Sequence, residues 1–267
     1  MTSQFDSHPI AGPVVRITAG NDVAWVAPLG GQVVRWTHAG REMLWCAQKR
    51  LPGKPLRGGI PLCWPWFGSH PSDTSLPNHG VARLQEFEVA EAAGDRVTMH
   101  LRHENLAAEL NVRVGEALEV SLTTSNVGDE PATVEAVLHT YLAVSDIEAV
   151  AIEGLDGARF LDQLDDMSAK VQVGNITFQS EVDRIYTASN PVVVRDGERS
   201  IVLDGRGSCG SVVVWNPWVE KSARLGDMTP DDFHRMVCVE TGWIGDDKRV
   251  INAGKYQTLS TRFQAAD

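Results

Sequence analysis

Apolar and polar residues alternate along most of this chain, in runs of strand length. VVRITAG from Val14, DVAWVAPLGG from Asp22 and QVVRWTHAGREMLW from Gln32 follow a two-residue period and break at Gly-Gly and Ala-Gly. EFEVAEAAGDRVTMHLRHE, ELNVRVGEALEVSLTTSNVG and PATVEAVLHTYLAVSDI continue the pattern, with turns at Gly-Asp, Gly-Glu and Gly-Asp-Glu-Pro. Turns that recur at this spacing predict an antiparallel sandwich or barrel rather than βαβ units. Residues 150–190 are less regular and carry the acidic stretch LDQLDDMSAK, after which KVQVGNITF resumes the strand pattern. PVVVRDGERSIVLDG predicts a hairpin turning at Asp196-Gly197, and CGSVVVWNPW and MVCVETGW predict buried strands. The best helix start is Thr229-Pro230-Asp231-Asp232: a capping residue, a proline at the first helical position and acids in the first turn. No linker or repeat interrupts the 267 residues, so the reading is one all-β domain over 1–267 with few short helices.

Composition narrows the class. No apolar run approaches the roughly 20 residues needed to cross a bilayer, and MTSQFDSHPIAG lacks the basic start and apolar middle of a signal peptide. The expectation is a cytoplasmic protein without a membrane partner. Cys46, Cys63, Cys209 and Cys238 form no CxxC-type pair and read as free, mostly buried thiols. A net charge of −11 argues against a nucleic-acid partner. Against that acidic total, Met43–Ser72 contains no Asp or Glu but holds Lys49, Arg50, Lys54 and Arg57. A basic island in an acidic protein suits a small anion, although chance clustering gives the same pattern.

The segment Arg57–Arg83, RGGIPLCWPWFGSHPSDTSLPNHGVAR, has too many prolines for a helix and too little alternation for a regular strand. Long irregular segments in compact domains are usually functional. Its arginines offer forked donors for anions and its histidines can move protons. Trp64, Trp66, Trp215 and Trp218 are candidates for a pocket wall, each with core packing as the plainer alternative. No Walker loop, GxGxxG, HExxH or GxSxG occurs. His139 lies in the apolar run VLHTYLAV, where a hydrogen-bonded core histidine is the plain reading. Glu240 lies in MVCVETG, where an unpaired carboxylate is costly unless it is used. Asp183 in SEVDRIY reads first as a turn residue at a strand entry.

Taken in order, RGGIPLCWPWFG, NHGVAR, LHTYLAVSDI, EVDRIY, VVWNPWVEKSARLGDM and VCVETG resemble the hexose-6-phosphate mutarotases of the aldose 1-epimerase superfamily. The resemblance spans about residues 57–242 and implies a galactose mutarotase-like β-supersandwich with its site in the concave face of one sheet. It implies His139 as general acid and Glu240 as general base. It further implies Arg57 and Arg83 as holders of the substrate and its phosphate, and Asn78, His79 and Asp183 as sugar contacts. Asn78 stands where the family pattern has glutamine, and Val81 where it has phenylalanine.

The implied activity is interconversion of the α and β anomers of a hexose 6-phosphate. A base takes the C1 hydroxyl proton while an acid protonates the ring oxygen, so neither cofactor nor metal is required. The expected resting pair is Glu⁻ and HisH⁺, with Asp183 or Glu240 supporting the imidazolium. The expected partner is a small sugar phosphate, and the expected state a monomer. Two alternatives stay open: an epimerase for unphosphorylated aldoses, and a non-catalytic carbohydrate binder on the same fold.

Overall fold

A computed structural model describes residues 5–205 and 207–266. It is built from large antiparallel sheets, as the alternation predicts. Five strands (Phe5–His8, Gly12–Ala19, Asp22–Ala27, Gln32–His38, Arg41–Glu42) form a meander at the start. One eight-stranded sheet takes Leu118–Asn126 and Tyr256–Ala266 as central neighbours, with Arg199–Asp204 on the far side of the latter. The other eight-stranded sheet runs from Ser168–Val171 through Arg159–Asp162, Val182–Thr187, Ser211–Asn216 and Met236–Trp243 to Ala136–Leu138 and Leu62–Cys63, with Tyr141–Ala143 pairing Met236–Trp243 as its eighth strand. The Asp196-Gly197 hairpin forms as read, pairing Val192–Asp196 with Arg199–Asp204.

Most buried apolar side chains join one core cluster, with Trp36, Trp64, Leu110, Val239 and Phe263 among its fully buried members. Strand Met236–Trp243 is buried along its whole length because both its faces are covered. Val237, Val239 and Trp243 enter the main core, and Thr241 joins Thr261 by a hydroxyl–hydroxyl hydrogen bond on that side. Met236 and Cys238 belong to a separate small cluster with Trp45, Tyr141, Trp215 and Met228. With a period of two, Glu240 shares that second face. Two-sided covering is why MVCVETGW shows no clean alternation.

The helix expected at Thr229 does not form as an α-helix. Thr229 N–H is held by the Asp232 carboxylate, and only one 3₁₀ turn, Asp232–Arg235, follows before the next strand begins at Met236. The one α-helix among the described residues is Trp218–Arg224, which begins at the last residue of the run read as the strand CGSVVVWNPW. Asn216 redirects the chain there: its side-chain oxygen accepts the Trp218 N–H, and its amide donates to the Phe233 and Met236 carbonyls. KVQVGNITF is only partly strand, since Ser168–Val171 ends early and Ile176 makes a single bridge to Ile152. The four cysteines are free, three buried and Cys46 half-buried. No helix among the described residues is long and apolar enough to cross a membrane.

Candidate active site

Register brings the acid–base candidates together. Leu138 pairs with Thr241 and Tyr141 with Cys238, which sets His139 directly across from Glu240. Val213 and Trp215 pair with Glu240 and Cys238, and Asp183 pairs with Trp215. One sheet face therefore carries Asp183, Trp215, Cys238, Glu240, Tyr141 and His139 on four strands.

The Arg57–Arg83 segment is stitched along the edge of this face by backbone bonds. Tyr141 N–H donates to the Gly59 carbonyl at 2.8 Å and His139 N–H to the Pro61 carbonyl at 3.0 Å. Further on, Val81 and Ala82 N–H both donate to the Trp64 carbonyl. Gly80 lies so close to that carbonyl that an added Cβ would stand 2.0 Å from its oxygen, and its φ is +76°. Only glycine fits both demands. Gly80→Ala is therefore expected to lose at least ~2 kcal/mol of stability and to displace His79 and Arg83. A thermal melt alongside an activity assay checks this; an unchanged melt would show that the loop relaxes freely.

Arg57 lies over the same face. Its Nε donates to Asp227 Oδ1 at 2.9 Å and its Nη1 to the Tyr141 hydroxyl at 3.4 Å. Arg83 Nη2 donates to the Asn78 carbonyl, while its Nε is buried with no hydrogen-bond partner. His79 packs edge-on to Phe67 and lies 5.9 Å, centroid to centroid, from His139. The Gly68 N–H donates to His79 Nδ1, so a neutral His79 carries its proton on Nε2. Asn78 is exposed and accepts from Ser69 Oγ, outside the buried cluster.

Asp183 forms the far end. Gln163 Nε2 donates to its Oδ1, and Lys221 Nζ stands 3.5 Å from Oδ2. Lys221 also bonds Glu181 at 2.6 Å and lies 5.8 Å above the Trp215 ring. The tryptophan candidates separate. Trp64 is core and donates to Thr124, Trp66 donates to the Pro77 carbonyl, and Trp218 packs on Phe233. Trp215 alone of the four stands edge-on to His139 and Tyr141.

The floor of the site is electrostatically unusual. Glu240 is 1% exposed and His139 11%, with Nδ1 3.3 Å from Oε1. That approach falls outside hydrogen-bond geometry and leaves His139 Nδ1 without a hydrogen-bond partner; the other carboxylate oxygen, Glu240 Oε2, is buried without one as well. Burial, reinforced by the Asp183 charge, holds the Glu240 carboxyl well above its ordinary value. Burial, with His79, Arg83 and Arg57, holds His139 well below its own. Burial and the same two arginines press His79 down to about 4. The expected resting imidazolium is thus a correction: burial and the neighbouring charges drive both members toward their neutral forms. The proximity of Glu240 does not offset the loss of water and the two guanidinium charges.

Sequence reasoning missed Tyr141, Asp227, Gln163, Lys221 and Cys238. Tyr141 stacks on His139 with centroids 4.8 Å apart and planes 7° from parallel. Their two-residue spacing in LHTY, and that of Cys238 and Glu240 in VCVE, was a readable sign of one shared face. Two groups of metal-ligand type occur among the described residues: His139, Cys238 and Glu240, with donor atoms within 4.8 Å of one another, and the surface group Asp146, Glu148 and His234.

The family model described as aldose 1-epimerase matches residues 13–264. An Escherichia coli K12 protein is 32% identical over 240 residues, covering 83% of this chain and 80% of its own length. A Cenchrus ciliaris protein is 33% identical over 256 residues, covering 85% and 77%. Both carry the name "Putative glucose-6-phosphate 1-epimerase". The crystal structure of "a putative mutarotase (YeaD) from Salmonella typhimurium" superposes with a TM-score of 0.86 at 27% identity, over 96% of this chain and 90% of that one.

Proposed function

Because this chain belongs to the aldose 1-epimerase family and is a sugar epimerase that interconverts anomers, we propose that its substrates are hexose 6-phosphates, with glucose 6-phosphate foremost. We assign Glu240 as the base and His139 as the acid. The observation that carries this reading is the set of buried, unpartnered atoms at one place: Glu240 Oε2, His139 Nδ1 and Arg83 Nε. Buried polar atoms without partners are rare in folded proteins. Here they match a ligand that offers a hydroxyl proton, a ring oxygen and an anion.

The steps follow from these atoms. Glu240 accepts the proton of the C1 hydroxyl as His139 donates one to the ring oxygen, and the C1–O5 bond breaks to give the open aldehyde. Rotation about C1–C2 presents the other carbonyl face. The ring oxygen then attacks, returning its proton to His139 while Glu240 returns the other to O1. The pair begins and ends with the same protons.

The substrate's phosphate alters the balance of charge around His139. Arg57 and Arg83 press His139 toward its neutral form. A bound phosphate dianion offsets both guanidinium charges and moves the shared proton from Glu240 toward His139. Asp183 receives sugar hydroxyls in this reading, which its contacts with Gln163 and Lys221 support by fixing its position.

Two-dimensional NMR exchange spectroscopy on equilibrated anomers tests the proposal, with glucose 6-phosphate and glucose compared at equal concentration. Strong exchange cross-peaks for the phosphate ester alone are the expected result. Equal acceleration of both sugars would confine Arg57 to its structural tie with Asp227 and favour an epimerase of free aldoses. No acceleration of either would remove the acid–base assignment.

A further inference from the structure

We propose that the acid–base floor is also a binding site for a thiophilic divalent cation, held by His139, Cys238 and Glu240, and that the cation and the sugar exclude one another. The proposed reaction makes no use of Cys238, yet its strand places it on the same face as Glu240, two residues away and across from Tyr141. The three donor atoms lie within 4.8 Å of one another. Imidazole, thiolate and carboxylate at about 2.0–2.3 Å from a tetrahedral zinc stand some 3.3–3.7 Å apart. Side-chain rotation of about 1 Å therefore closes the set around a metal, leaving a fourth position for water.

A second observation points to a ligand here. Glu240 Oε2 and His139 Nδ1, two of the donors such an ion would use, are buried and unpartnered. Charge is balanced as well: one thiolate and one carboxylate cancel the charge of the ion, so Arg57 and Arg83 face a neutral unit. Binding is a proton exchange at sulphur and at the carboxyl. The Cys238 S–H and Glu240 O–H bonds break, the S–metal and O–metal bonds form and both protons leave to solvent, so nothing is oxidised or reduced. The ion then holds the lone pairs that would otherwise work on O1 and O5, which makes it an inhibitor and not a cofactor.

Cadmium alone is a suitable probe, because its thiolate complexes absorb in the ultraviolet and the readout needs no turnover. Titration of the intact protein is expected to give a charge-transfer band that saturates at one ion per chain and is suppressed by excess glucose 6-phosphate. Cys238→Ala should lose the band. Glu240→Gln keeps the thiol and should shift the midpoint upward by at least ~10-fold, as loss of metal-supporting groups does elsewhere. Absence of the band in the wild-type protein, or an undiminished band in Cys238→Ala, overturns the site. A saturating band that glucose 6-phosphate leaves untouched overturns the mutual exclusion. A band in a protein that accelerates no sugar would count against the proposed substrates while leaving the metal site standing.

Discussion

Glu240→Gln is expected to lower anomer exchange by about 10²–10⁴-fold, the contribution of one positioned proton-transfer group. The same change should leave the fold at least as stable. Glu240 is fully buried and its carboxyl is held well above the ordinary range. A carboxyl whose folded-state pKa is raised loses folding stability as pH climbs from its unfolded value toward its folded one. At neutral pH glutamine removes that penalty. Below the unfolded value both proteins carry a neutral side chain and the advantage vanishes. Thermal melts from acid to neutral pH, run beside the exchange assay, read both effects. A variant that loses activity and stability together at neutral pH would mark Glu240 as a structural residue. Full turnover would end its role as base.

Arg57→Ala is expected to raise KM for glucose 6-phosphate by about 10–100-fold, the range for removing a hydrogen bond between charged groups. KM for free glucose should move little. The arginine has a second task, because its Nε holds Asp227, which is 7% exposed. The single variant leaves that carboxylate without its cation and should cost about 1–3 kcal/mol of stability. Arg57→Ala/Asp227→Asn separates the two tasks. Neutralising Asp227 should restore most of the melting temperature and none of the affinity for the phosphate. If KM recovers along with stability, Arg57 acts only by holding the loop. Steady-state kinetics on both sugars and a melt for each variant decide the point.

The strands were legible because one face of most of them meets the core and the other meets water, which prints a period of two on the sequence. Met236–Trp243 escaped that pattern because a second small cluster covers its outer face. Glu240 nonetheless stood out, since a carboxylate between Val239 and Thr241 is hard to explain otherwise. Arg57, His79 and Arg83 lie near His139, which stands across from Glu240, and Asp183 lies at the far end of the same face. Asn78 does not join the buried group; it is exposed and bonds Ser69. Asp227, Gln163 and Lys221 were given no role, although Lys221 and Asp227 lie in the block VVWNPWVEKSARLGDM. Their partners lie 170, 20 and 38 residues away in the chain, and nothing local marks such a meeting. The helix was misplaced because Thr-Pro-Asp-Asp carries the usual start signals. It met a strand four residues later, while Trp218–Arg224 begins from an Asn216 turn that propensity does not anticipate.

The position of Tyr256–Ala266 in its sheet has a consequence for biosynthesis. It lies between Leu118–Asn126 and Arg199–Asp204, two strands made much earlier. Before it emerges from the ribosome, the hairpins on either side have open edges and no shared ladder. The same late strand supplies Thr261, which anchors Thr241 beside Glu240. A nascent chain in which all the proposed catalytic residues have been made still lacks the strand that joins the two halves of this sheet. In that interval it should depend on chaperone capture, and catalysis should arrive in one step when the closing strand is added.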